Sequence, residues 1–178
     1  MTRNPATSLG APLGAGAVVA LLLGIYASVH EPTGRDFVLT GFESAAAWKS
    51  ALASVTVVLF TVQVTLGLRM TGRYLPRRPV PHWMPDLHRV VGSVAFGFSL
   101  PVAFHCLWVL GYRSDDAAIL THSLLGSVAY GLYAAKVVAV HGHRRTAQPE
   151  WIVPVLGVVL GTTILAVWWT SALVFWVS

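Results

Sequence analysis

LHRVVGSVAFG, residues 87–97, returns 34 residues later as THSLLGSVAYG, residues 121–131. Each copy sets a histidine (His88, His122) four residues before a glycine (Gly92, Gly126), adds Ser-Val-Ala and an aromatic residue, and closes on a second glycine (Gly97, Gly131). Positions four apart share a helix face, so each histidine has a glycine one turn above it. A polar ring beside a bare stretch of backbone, written twice in apolar sequence, predicts two related helices in hydrocarbon.

The rest of the chain agrees. Its 178 residues are 55% hydrophobic and only 11% charged, with mean hydropathy +0.66, whereas soluble domains carry about 25% charged residues. Spanning about 30 Å of hydrocarbon at about 1.5 Å per residue takes roughly 20 apolar residues. Segments near 12–29, 51–69, 88–110, 118–140 and 153–176 qualify, which predicts an all-α polytopic membrane bundle of five helices in a single transmembrane domain. The first run is long for a signal peptide, and Ala27-Ser28-Val29 is a poor cleavage site. A single cysteine, Cys106, excludes an internal disulfide, and His105-Cys106 is not the C-x-x-C-H sequence that attaches haem covalently.

Basic residues set the predicted orientation. Arg69, Arg73, Arg77, Arg78 and Arg89 crowd the connection after the second span, and Lys136, Arg144 and Arg145 lie at the one after the fourth. The other two connections mix Arg35, Lys49 and Arg113 with Glu31, Asp36, Glu43, Asp115 and Asp116. The positive-inside rule therefore predicts a plasma-membrane protein with its N-terminus cytoplasmic and its C-terminus outside. The pI near 9.9 is then a matter of topology and needs no nucleic acid. The proline-rich segment around Trp83 reads as a stiff connector on lipid headgroups, with Arg73, Arg77 and Arg89 as alternative partners for cofactor carboxylates.

Polar groups inside hydrocarbon are functional hypotheses by default. His88 and His105 mark the two ends of the third span, and His122 and His141 those of the fourth. Antiparallel neighbours would set His105 level with His122 and His88 level with His141, the two levels about 25 Å apart. Facing neutral imidazoles are the axial ligands of haem b, and Gly92 and Gly126 would let a flat macrocycle lie against the helices. Successive steps of 100° leave each helix's second histidine about 100° from its first, which Pro101 can partly absorb. The lower pair is accordingly less tidy, and His143 or His82 can replace His141 there. The competing reading of the glycines is close helix packing. Thr61 and Gln63 read as interhelical hydrogen bonders, Lys136 as a snorkelling side chain or a propionate partner, and Trp168, Trp169 and Trp176 as an aromatic belt or the wall of a quinol site.

LHRVVG, THSLLG and PVAFHC together resemble the haem-bearing helices of the cytochrome b561 and ferric-reductase group over about residues 51–176. That resemblance implies one or two non-covalent haem b groups, an electron-transfer role as a transmembrane oxidoreductase component, and a quinol or redox-protein partner. Both ligands of each haem would come from the third and fourth helices, nearer the ferric-reductase plan. The pattern HC…HS…WxTSA also resembles small bacterial membrane proteins, a likeness that implies no function. The chain would act alone, as a homodimer, or within a larger complex. The alternatives are a non-haem structural subunit of a respiratory complex, or a metal or proton transporter. Transport is disfavoured because all seven acidic residues lie in loops or at span ends. No hydrolase triad, HExxH, Walker or Rossmann pattern is present.

Overall fold

In hydrocarbon a backbone must satisfy its own hydrogen bonds, and this chain does so with helices alone. The computed structural model describes residues 5–72, 78–114, 116–143 and 149–177. Its helices are α1 (Pro5–Val29), α2 (Ala45–Met70), α3 (Met84–Phe104), α4 (Ala117–His143) and α5 (Ile152–Trp168). Two helices continue in wider π-helical winding, α3 through His105–Leu110 and α5 through Trp169–Leu173, the latter ending in one α-turn, Val174–Val177. No strand occurs among the described residues. All five segments are long and apolar enough to cross a membrane, so the protein is an all-α, multi-pass membrane bundle.

The ends follow local chemistry rather than hydropathy, which is why α2 and α3 begin several residues before their apolar runs. Ser44 caps α2 by accepting from the Ala47 amide at 3.1 Å. Pro85 sits in the first turn of α3, where its missing N–H costs nothing. Gly111, at φ +67°, ends the π-helical turn after α3 in a conformation that disfavours side chains. Arg73, Arg77, Arg144, Arg145 and Asp115 lie outside the described residues, as does the side chain of His143.

Helix neighbours run α1, α4, α5, α2, α3. The expectation that α3 and α4 pack directly is therefore corrected: their backbones barely approach. Aromatic rings span the gap instead. Phe96 of α3 stacks on Tyr133 of α4 at 4.3 Å, and the Tyr130 hydroxyl donates to Ser99 Oγ at 2.9 Å. The end that carries the α1–α2 and α3–α4 connections is called upper below, and the opposite end lower.

The tightest crossing joins α1 to α4. A methyl group on Gly131 would stand 2.6 Å from the Gly16 carbonyl oxygen and 2.8 Å from Ala20 Cβ, and one on Gly16 would stand 2.9 Å from Ala135 Cβ. Gly16/Ala20 and Gly131/Ala135 are thus paired small-xxx-small faces. Gly131 is a packing glycine, whereas beside Gly97 and Gly126 a side chain would meet open space. Replacing Gly131 with Leu should push α1 off α4, destabilise the fold by about 1–3 kcal/mol, and expose α1 to limited proteolysis in detergent. Leu at Gly126 should leave both readouts unchanged.

Candidate functional site

At the upper end, the chain between α1 and α2 folds over the π-helical turn of α3. A π-helical end leaves carbonyls without intrahelical partners. Here the Thr33 amide reaches the Trp108 carbonyl at 3.3 Å, the Gly34 amide reaches that of Val109 at 3.2 Å, and His30 donates from Nε2 to the Trp108 carbonyl at 3.1 Å. The strap is also held by a cluster of three rings, His30 lying 5.1 Å from Tyr26 and 4.6 Å from Trp108, which are themselves 6.5 Å apart.

That strap delivers Asp36 and Phe37 to His105. His105 is fully buried. Its ring lies 5.3 Å from Phe37 and 5.4 Å from Trp48, edge-on to the latter, and Trp48 Nε1 donates to the Phe37 carbonyl at 3.0 Å. Nε2 of His105 stands 3.0 Å from Asp36 Oδ1. Since a carboxylate only accepts, Nε2 carries the proton, and Nδ1 keeps a buried lone pair with no partner.

His122 has the opposite arrangement. Its Nδ1 lies 3.0 Å from Thr170 Oγ1, in the π-helical turn after α5, and that hydroxyl is itself 3.0 Å from the Ala166 and Val167 carbonyls. With its proton on either carbonyl, Thr170 accepts from His122 Nδ1–H, and the Val167 carbonyl is also within hydrogen-bonding reach of the ring. In that tautomer neutral His122 carries its lone pair on Nε2, the form in which imidazole binds metal. Lys49, on the first turns of α2, contributes a positive charge that acts on both His105 and His122.

At the lower end the predicted partners are not joined. His88 keeps an unpartnered, buried Nδ1, while its carbonyl accepts from Gln63 of α2. Gly92 makes room for that amide, since a methyl there would lie 3.1 Å from Gln63 Nε2. Its bare face serves helix packing rather than a flat ligand. His141 is exposed and donates from Nδ1 to Val137, one turn back on its own helix, at 2.8 Å. His82 is exposed. Among the described residues, no group of three or more His, Cys, Asp or Glu side chains forms a metal cluster.

Other expectations divide similarly. Gln63 bonds between helices, but Thr61 donates to Val57 within α2. Trp168 and Trp176 both donate to Ser54 of α2, at 3.0 and 3.1 Å, fastening α5 to α2, while Trp169 is 66% exposed. Arg89 pairs with Asp86 on the exposed side of α3. Sequence reasoning missed Asp36, Trp48, Lys49 and Thr170 as neighbours of the histidines. Asp36 and Thr170 lie 69 and 48 residues from their histidines, and no local pattern links them.

Because Trp48 is fully buried against the His105 ring, Trp48→Ala should cost about 3–5 kcal/mol, read as a lowered unfolding temperature in detergent. Trp169→Ala, at the exposed neighbour of the same wall, should change it little.

No curated protein and no solved structure matches the chain. A family model matches residues 9–178, nearly the whole sequence, and the chain belongs to that family, DUF6529, a family of unknown function.

Proposed function

We propose that the protein is a b-type membrane cytochrome that carries electrons within or across the bilayer through a bis-histidine haem held by His105 and His122 at the upper end. The observation that carries this reading is the contact of His122 Nδ1 with Thr170 Oγ1, which, with the hydroxyl proton on a helix carbonyl, leaves the lone pair of the ring on Nε2. Thr170 acts as the outer partner that metal-bound histidines ordinarily have. Two further features support it. The fully buried His105 has a nitrogen without a partner, and Gly126, one turn from His122, leaves open space beside the helix.

The donor set suits haem, since both residues are neutral imidazoles on helices and soft enough for iron. The His105 side is not preformed. Asp36 engages Nε2, so ligation through that nitrogen goes with release of the strap carboxylate. The bound haem would supply one-electron Fe(III)/Fe(II) chemistry with no bond made by the protein. The chain's own residues orient the rings, exclude water with Trp48 and Phe37, and place the Lys49 charge near the site. A quinol or a redox protein is the partner class this reading entails. On the charge bias of the connections, the upper end faces outside a plasma membrane and the N-terminus faces the cytoplasm. A second haem through His88 and His141 has no comparable support, because His141 turns to its own helix.

The test is the reduced-minus-oxidised visible spectrum of the detergent-purified chain from haem-replete cells, with haem per chain measured as the pyridine haemochrome. We expect sharp reduced bands at about one haem per chain. They should vanish in His105→Ala and His122→Ala, persist in His141→Ala, and weaken or shift in Thr170→Val. A colourless wild-type protein overturns the proposal and leaves the histidines as packing and hydrogen-bonding groups of a structural subunit.

A further inference from the structure

The lower end carries a cation that no described residue pairs with. Lys136 lies seven residues before the end of α4, about 10 Å from it. A lysine at that depth is expected to run its stem toward the headgroups. Instead it crosses sideways into α5, with Nζ 3.4 Å from where a side chain on Gly157 would begin. Gly157 is five residues into α5, so the ammonium sits roughly 8 Å from that helix end. Lys136 is partly buried, and among the described residues no hydrogen bond or ion pair reaches it.

Three other helices present matching features at the same level. His88, four residues into α3, has its unpartnered, buried Nδ1 there and feels the charge of Lys136. Its Cε1 is 3.8 Å from where a side chain on Gly67 of α2 would begin. The seven carboxylates of the chain cannot answer this charge. Five belong to the upper connections, Glu150 lies in the loop before α5, and Asp86 is exposed and paired with Arg89. An ammonium in hydrocarbon without a counter-charge is strongly unfavourable, and helix bundles with basic pockets near one face meet that need by taking up acidic lipid headgroups.

We propose that Lys136, seated against Gly157, and His88, seated against Gly67, form an oxyanion site at the lower end of the bundle for the phosphate of a membrane-resident molecule. Lys136 supplies the charge, and His88 Nδ1, in the tautomer that carries the proton there, donates a hydrogen bond. The source is the phosphate of an anionic phospholipid, since the haem proposed above sits at the level of His122, about 21 Å away along α4. The site does not depend on the haem.

Full-length protein in detergent is examined by native mass spectrometry and thermal unfolding with added phosphatidylglycerol or, as the neutral control, phosphatidylcholine. For a lipid phosphate we expect phosphatidylglycerol adducts at least about fivefold over the control, with a raised unfolding temperature. Both effects should be lost in Lys136→Met and kept in Lys136→Arg. If phosphatidylglycerol has no selective effect, no lipid phosphate occupies the site and the proposal falls. If Lys136→Met changes neither readout, or is more stable than wild type in every lipid, the ammonium has no anionic partner and the proposal falls. A colourless protein with selective phosphatidylglycerol binding would remove the haem reading and leave this one standing.

Discussion

The bond between Asp36 and His105 organises the upper half of the molecule. A fully buried imidazole needs a partner, and no neighbouring helix supplies one for Nε2, so the α1–α2 strap must come in from outside the bundle. Once the carboxylate is in place, Phe37 lies against Trp48, and the strap's amides fall on the carbonyls that the π-helical turn leaves open. Of these groups His105 has the most to lose, since its ring is fully buried while Asp36 is largely exposed and can turn to water.

Both departures from α-helical winding bear on the histidines. His105 opens the π-helical turn after α3, and Thr170, which fixes the tautomer of His122, lies in the one after α5. A π-helical turn inserts extra backbone into a helix and rotates all that follows it. Angular bookkeeping at 100° per residue therefore holds up to His105 and fails past it. Such insertions are frequent at functional sites, and here each of the two bears on one of the upper histidines.

The fold was legible because its signal is one-dimensional: five apolar runs of spanning length, separated by connections rich in charge or proline, are enough to give five helices. Their neighbour order was not legible. Short connections suggested that α3 packs on α4, yet Phe60 fits so closely at Gly161 that a methyl there would stand 2.6 Å from its ring, bringing α2 onto α5, while aromatic side chains hold α3 and α4 apart. The twin motifs misled in a related way. Identical spacing implied identical use, but Gly92 accommodates Gln63, Gly131 accommodates α1, and only Gly97 and Gly126 stand clear. His105 and His122 were visible as polar residues in apolar sequence, whereas their partners come from segments 48 to 69 residues away.

The Gly16 and Gly131 contact has a consequence for how the chain is made. These two residues are 115 positions apart, and α1 leans chiefly on α4. At roughly 5–20 residues per second, the ribosome takes about 6–23 seconds between them. For that interval the first helix stands in the bilayer with its glycine face against lipid, while α2 and α3 arrive and pair with each other. Docking of α1 is thus a late event of assembly, a latch closed on a bundle whose other helices are already being laid down.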